Sequence, residues 1–151
     1  MTPEVFEDGR SPGRHLLRLS WLSTLALAVV ATAGLVASDD FTPVVVTFSA
    51  AMFLLGSVLL LLGLLYGLKR SRDEIVTVIG LFFMQDSAPS TVRRVFAWSM
   101  AFQFAIALTV AGIRPYTEMA FMILAPMVPL GSAALWSSQH GFFPRRSNGT
   151  S

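Results

Sequence analysis

"DEIVTVIGLFFMQDS", residues 73–87, decides how this chain is built. Ten consecutive residues, Ile75 to Met84, carry no charge, and Asp73, Glu74 and Asp86 close the run on both sides. As a helix, the run would be only about 15 Å long, half of what crossing a bilayer requires. Burying the flanking carboxylates would cost about 2.5–3.5 kcal/mol each. The segment therefore does not span. Drawn as a helix, it places Asp73, Thr77, Gly80, Met84 and Ser87 on one stripe and Ile75, Val78, Ile79 and Phe82 away from it, with Val76 and Phe83 beside them. That lopsided pattern predicts a short helix in the plane of the membrane interface, packed against the ends of other helices. A strand would be apolar on both faces and would lack a partner for its backbone. Ser87 or Ser90 is expected to cap the helix that follows Pro89.

The rest of the sequence gives this segment a membrane to lie on. Of 151 residues, 54% are hydrophobic and 13% charged, and the mean hydropathy is +0.64. A typical soluble domain has about 25% charged residues. The net charge of +2 is small and scattered, unlike a nucleic-acid surface. With no cysteine, disulfides, thiolate metal sites and cysteine nucleophiles are excluded.

Four stretches are long and apolar enough to cross: about 19–37, 44–68, 95–112 and 116–136. The expected fold is all-α, with four transmembrane helices and a short cytoplasmic interfacial helix between spans 2 and 3. A tail (1–18), a central loop (69–94) and a second tail (137–151) then share one side. They carry ten basic residues: Arg10, Arg14, Arg18, Lys69, Arg70, Arg72, Arg93, Arg94, Arg145 and Arg146. The other side carries only Arg114. Basic residues concentrate on the cytoplasmic side, so both termini are expected there, in the plasma (inner) membrane. A rival reading of the first stretch is a signal peptide cleaved after Ala37 or Ser38, although its apolar run is longer than usual.

Helices in lipid associate through small residues. Ser49, Gly56 and Gly63 recur every seven residues and Gly67 follows; Ala97, Ala101 and Ala105 recur every four. Both seams are expected to be helix contacts, within the bundle or between copies. Gln103 is the most polar residue at mid-depth and needs partners, for which Ser or Thr hydroxyls and carbonyls freed near Pro126 are the candidates. Pro126 and Pro129 predict a kink in the fourth span. Arg114 and Glu118 are expected to pair at the outer interface. His15 and His140 are far apart and have no matching ligand set, so no metal site and no cofactor are expected.

The stretches "GLFFMQDSAPSTVRR" (80–94) and "IRPYTEMAFMILAPMVPLGSAALWSSQHGFFPRR" (113–146) resemble a group of small four-span membrane proteins, mostly actinobacterial, to which no activity is attached. The resemblance covers about the C-terminal half and implies an inner-membrane protein with four spans.

No nucleotide loop, HExxH or nucleophile elbow occurs, and no ionisable residue lies at mid-depth in any span. The expectation is a non-enzymatic accessory or scaffold subunit acting through helix association. Its partners would be the lipid bilayer and a membrane protein or a second copy of the chain. The alternative is a small dimeric transporter or channel without proton-coupling carboxylates.

Overall fold

The longest apolar stretch forms the longest helix. In the computed structural model, which describes residues 13–37, 41–85, 87–113 and 122–145, helix α2 runs from Thr42 to Arg70. Pro43 lies in its first turn, and Lys69 and Arg70 sit in its last. Proline is tolerated at the start, where the backbone N–H has no partner, and cations complement the carbonyl end. Helix α1 (Arg14–Val36) precedes it and α4 (Ser90–Ile113) follows; a one-turn helix, α3 (Val78–Phe82), lies between α2 and α4, and α5 (Met127–His140) ends the order. Helices α1, α2 and α4 are each long and apolar enough to cross a membrane. At 1.5 Å per residue they measure about 35, 44 and 36 Å. Among the described residues there is no strand, only an isolated antiparallel bridge between Glu74 and Arg145.

The distribution of residue sizes is that of a membrane protein. On α1 and α2, Leu22, Leu25, Val29, Leu54, Leu61 and Leu65 point outward. Their buried positions include Ser20, Ser23, Thr24 and Gly34 on α1 and Ser49, Gly56, Gly63 and Gly67 on α2. In water so large an apolar exterior would associate. In lipid it costs nothing, and small residues let the backbones close up.

The fourth apolar stretch departs from expectation. Helix α5 has 14 residues, about 21 Å, too short to cross by itself. It begins at Met127 after a 3₁₀ turn at 122–124 and continues past the expected end to His140. Pro126 and Pro129 do not kink a helix here; they start one. Pro126 is the N-cap and Pro129 the third helical residue, positions whose N–H groups lack intrahelical partners in any case. From Val128 to Ser138 only Leu130 is not fully buried. Helix α5 packs chiefly on α2, and α1, α4 and α3 enclose it. This enclosure accounts for its run of small residues, Gly131 to Ala134.

The central loop is also shorter in helix than expected. Residues 75–77 are extended, and only 78–82 are helical. The segment 142–145 supplies the backbone partner for this extended stretch. The Ile75 N–H donates to the Pro144 carbonyl at 2.8 Å, and the Phe142 N–H donates to the Ser87 carbonyl at 2.8 Å. The Thr77 hydroxyl then caps α3 by accepting from the Gly80 N–H at 3.0 Å. Ser87 does not cap α4: its hydroxyl donates to the Gly80 carbonyl of α3 at 2.6 Å, and Ser90 is the first residue of α4 itself. Part of the stripe of small and polar residues docks, together with Leu81, while Asp73 and Thr77 of that stripe are exposed. Gly80, Leu81, Met84 and Ser87 are buried, whereas Ile75, Val78, Ile79 and Phe83 are exposed. Leu81→Asp is therefore expected to lower the melting temperature in detergent and open the loop to protease, while Phe83→Asp leaves detergent stability near wild type.

Candidate functional site

Three sets of contacts hold the chemistry of this chain, and the first is steric. A Cβ placed on Gly63 would lie 2.7 Å from the Leu135 nitrogen and 2.8 Å from the Ala134 carbonyl carbon. One at Gly56 would collide with the backbone of Met127, and one at Gly131 with the Gly56 carbonyl. The α2–α5 seam is thus backbone against backbone. Gly67 meets the Leu81 side chain instead, at 3.4 Å, and Ser49 returns its hydroxyl to the Val45 carbonyl at 2.8 Å. Gly131 was not singled out in the sequence, although its position after "MVPL", beside three further small residues, carried the signal.

The second set is a buried hydroxyl cluster between α1 and α4. Ser20, Ser99 and Gln103 are fully buried, and Ser23 and Thr24 nearly so. The Ser20 hydroxyl donates to Ser99 Oγ at 2.7 Å, and Ser99 Oγ lies 2.7 Å from Thr24 Oγ1. The Gln103 amide is assigned so that its Nε2 donates to the Ala125 carbonyl at 3.1 Å and its Oε1 accepts from Ser23 Oγ and Thr24 Oγ1 at 2.9 and 3.0 Å. The reverse orientation would set two acceptors, Oε1 and the Ala125 carbonyl, against each other. The Ala125 carbonyl already accepts from the Val128 N–H at 3.3 Å, but the residue four further on is Pro129, which has no N–H to give, so its second lone pair is open to Gln103. Gln103 thus meets the Ser and Thr hydroxyls and the carbonyl beside Pro126 that the sequence suggests; which hydroxyls is set by Ser20, Ser23 and Thr24, which at i, i+3 and i+4 form one helical face.

The third set lies at the end of α2. Arg70 pairs with Glu74 at 2.5 Å, donates from Nη1 to the Ser138 carbonyl at 3.1 Å, and stacks over the Phe143 ring at 5.2 Å. It joins α2, the end of α5 and the C-terminal segment. Nearby, the His140 ring stacks on Trp136, with centroids 5.6 Å apart. Burial holds the His140 imidazole below the usual histidine range, a hydrogen bond to the Trp136 backbone opposes this, and the charge of His15 adds to the lowering. The folded state therefore binds fewer protons at His140 than the unfolded chain. The resulting stability is present above the ordinary value of 6.5 and is lost as pH falls through the lowered folded-state value. A decline in melting temperature between pH 7.5 and 5 is expected, and His140→Asn should flatten it.

The α4 alanines do not join the bundle. Ala97, Ala101 and Ala105 are exposed, and α4 instead buries Val92, Phe96, Ser99, Gln103, Ala107 and Val110. Arg114 and Glu118 lie outside the described residues. Among the described residues no group of three metal-ligating side chains comes together. No family model, no curated protein and no solved structure matches the chain.

Proposed function

We propose that the chain is a multi-pass inner-membrane protein with both termini in the cytoplasm, acting without catalysis as an accessory or scaffold subunit through helix association. The observation carrying this reading is the outward face of α4. Ala97, Ala101, Ala105, Thr109 and Gly112 are all exposed, and a Cβ at Gly112 would meet no atom within 4 Å. Small residues turned to lipid bury little of their own surface but permit close approach of another helix. In this reading α5 is the inner part of a fourth crossing that begins near residue 116, in keeping with the resemblance to small four-span proteins. In the same reading the exposed Val78 and Ile79 of α3 and Phe83 just after it lie in the cytoplasmic interface, joined by Phe142.

Affinity purification in mild detergent with mass spectrometry tests the association. A partner that co-purifies with wild type should be lost with Ala101→Trp, whose site is exposed and whose fold should persist. Equal recovery with both chains would contradict the α4 interface. The polar row of the Ser20, Ser99 and Thr24 hydroxyls and the Gln103 amide supports a second reading, a dimeric transporter or channel with a polar track at mid-depth. A homodimer with no other partner would favour it.

A further inference from the structure

We propose that the crevice between α3, α4 and α5 holds an anionic phospholipid, its phosphate on Arg93 and one acyl chain against Ala97 and Met100. The crevice is lined by Phe82, Phe83, Phe96 and Met100, with Pro129 contributed by α5 and Arg93 as its single charged group. Arg93 is exposed, and its guanidinium has no partner among the described residues. Arg70, by contrast, has three. A cation on an otherwise apolar groove selects a ligand that is anionic at one end and hydrocarbon along the other. A free phosphate would leave the groove uncovered, and a neutral lipid would leave the guanidinium unmatched.

The layout follows the geometry of α4. Arg93 is one turn into the helix, and Ala97 and Met100 follow at i+4 and i+7, so the lining runs from the charged end into the apolar body of the helix. Ala97 keeps the groove open, since a longer side chain there would fill it. The rim is fixed by Met84, buried and held at a left-handed φ of 55°, the only non-glycine residue at positive φ among the described residues. Such a conformation persists only where its surroundings impose it. Ala101 and Ala105 lie further round the helix, so a lipid at Arg93 covers Ala97 at the near end of the association face and leaves Ala101, Ala105, Thr109 and Gly112 free. Basic residues at the cytoplasmic end of a membrane-crossing helix are drawn to anionic headgroups, and Arg93 stands in the first turns of α4.

The placement at the cytoplasmic headgroups rests on the topology proposed above. The test is therefore made in detergent, where sidedness plays no part: it can fail with the topology intact and succeed with it inverted. Full-length protein in a neutral detergent is titrated with phosphatidylglycerol, phosphatidylcholine or inorganic phosphate, and its melting temperature is followed. Phosphatidylglycerol should raise it saturably and the other two should not. Arg93→Gln should weaken the half-saturating concentration by more than about tenfold, as expected for one charge-assisted contact to phosphate. Arg94→Gln should weaken it by no more than about fivefold, the general effect of one basic residue near a lipid surface. Ala97→Phe, which closes the groove and keeps the charge, should abolish the shift. Arg93→Lys should retain part of it, and keeps the test decisive if Arg93→Gln melts early without lipid. Equal shifts with phosphatidylcholine, a full shift with inorganic phosphate, or equal losses at Arg93 and Arg94 would each overturn the proposal.

Discussion

Gly63→Leu should cost roughly 3 kcal/mol or more, at or above the upper end for overpacking, and should prevent assembly of the α2–α5 pair in the severe case. Its obstacle is main chain, the Leu135 nitrogen and the Ala134 carbonyl carbon, which cannot rotate aside as a side chain can. Separating α5 from α2 would also uncover the helix that the rest of the bundle surrounds. Leu62→Ala, one residue away on an outward position, removes only surface turned to lipid and is expected to change stability little. Melting in detergent, followed by circular dichroism or dye binding, separates the two. Equal losses at both sites would remove the backbone seam from the account.

Arg70→Ala should be the most damaging change at the cytoplasmic end, by about 2 kcal/mol, in the range of a hydrogen bond to a charged group. It removes the donor to the Ser138 carbonyl, the ion pair with Glu74 and the stack on Phe143 together. The Ser138 carbonyl lies in the last turn of α5, where no helical N–H remains to serve it. Arg70→Lys keeps the charge but not the planar fork, so it should recover only part of the loss. The readout is protease cleavage in inverted vesicles, with new cuts expected in 71–77 and after Gly141. Lys69→Ala, exposed and one residue away, should leave the digestion pattern unchanged.

These contacts divide into those a sequence announces and those it hides. The helices α1, α2 and α4 were legible because a membrane span needs about twenty apolar residues and little else. The stretches 44–68 and 95–112 lie inside Thr42–Arg70 and Ser90–Ile113, and 19–37 overruns Arg14–Val36 only by Ala37, its C-cap. The same hydropathy could not show that the end of 116–136 forms a short helix enclosed by the others, because lipid and a protein interior are equally apolar. Only the run of small residues, Gly131 to Ala134, distinguished a helix enclosed by others. The glycines of α2 were visible by their spacing of seven. The alanines of α4 were visible too, but the face a helix turns inward depends on what it meets, and on α4 the hydroxyls of α1 claimed Ser99 and Gln103. The loop was hidden for a different reason. Its partner is the segment 142–145, which is some 70 residues distant from Ile75 and carries no local signal of pairing. A helix through all of 75–84 is therefore too long, and its docked side carries Gly80, Leu81 and Met84 rather than Ile75, Val78 and Ile79.

The membrane arrangement itself is tested most directly by labelling. The chain has no cysteine, so single cysteines report without background. In intact cells an impermeant maleimide should modify Ser38→Cys, and it should reach Ser71→Cys and Gln139→Cys only after lysis. Ser71 and Gln139 stand at the ends of α2 and α5 that Arg70 joins, so they must share a side. Labelling of Ser71→Cys or Gln139→Cys from outside intact cells would contradict the account.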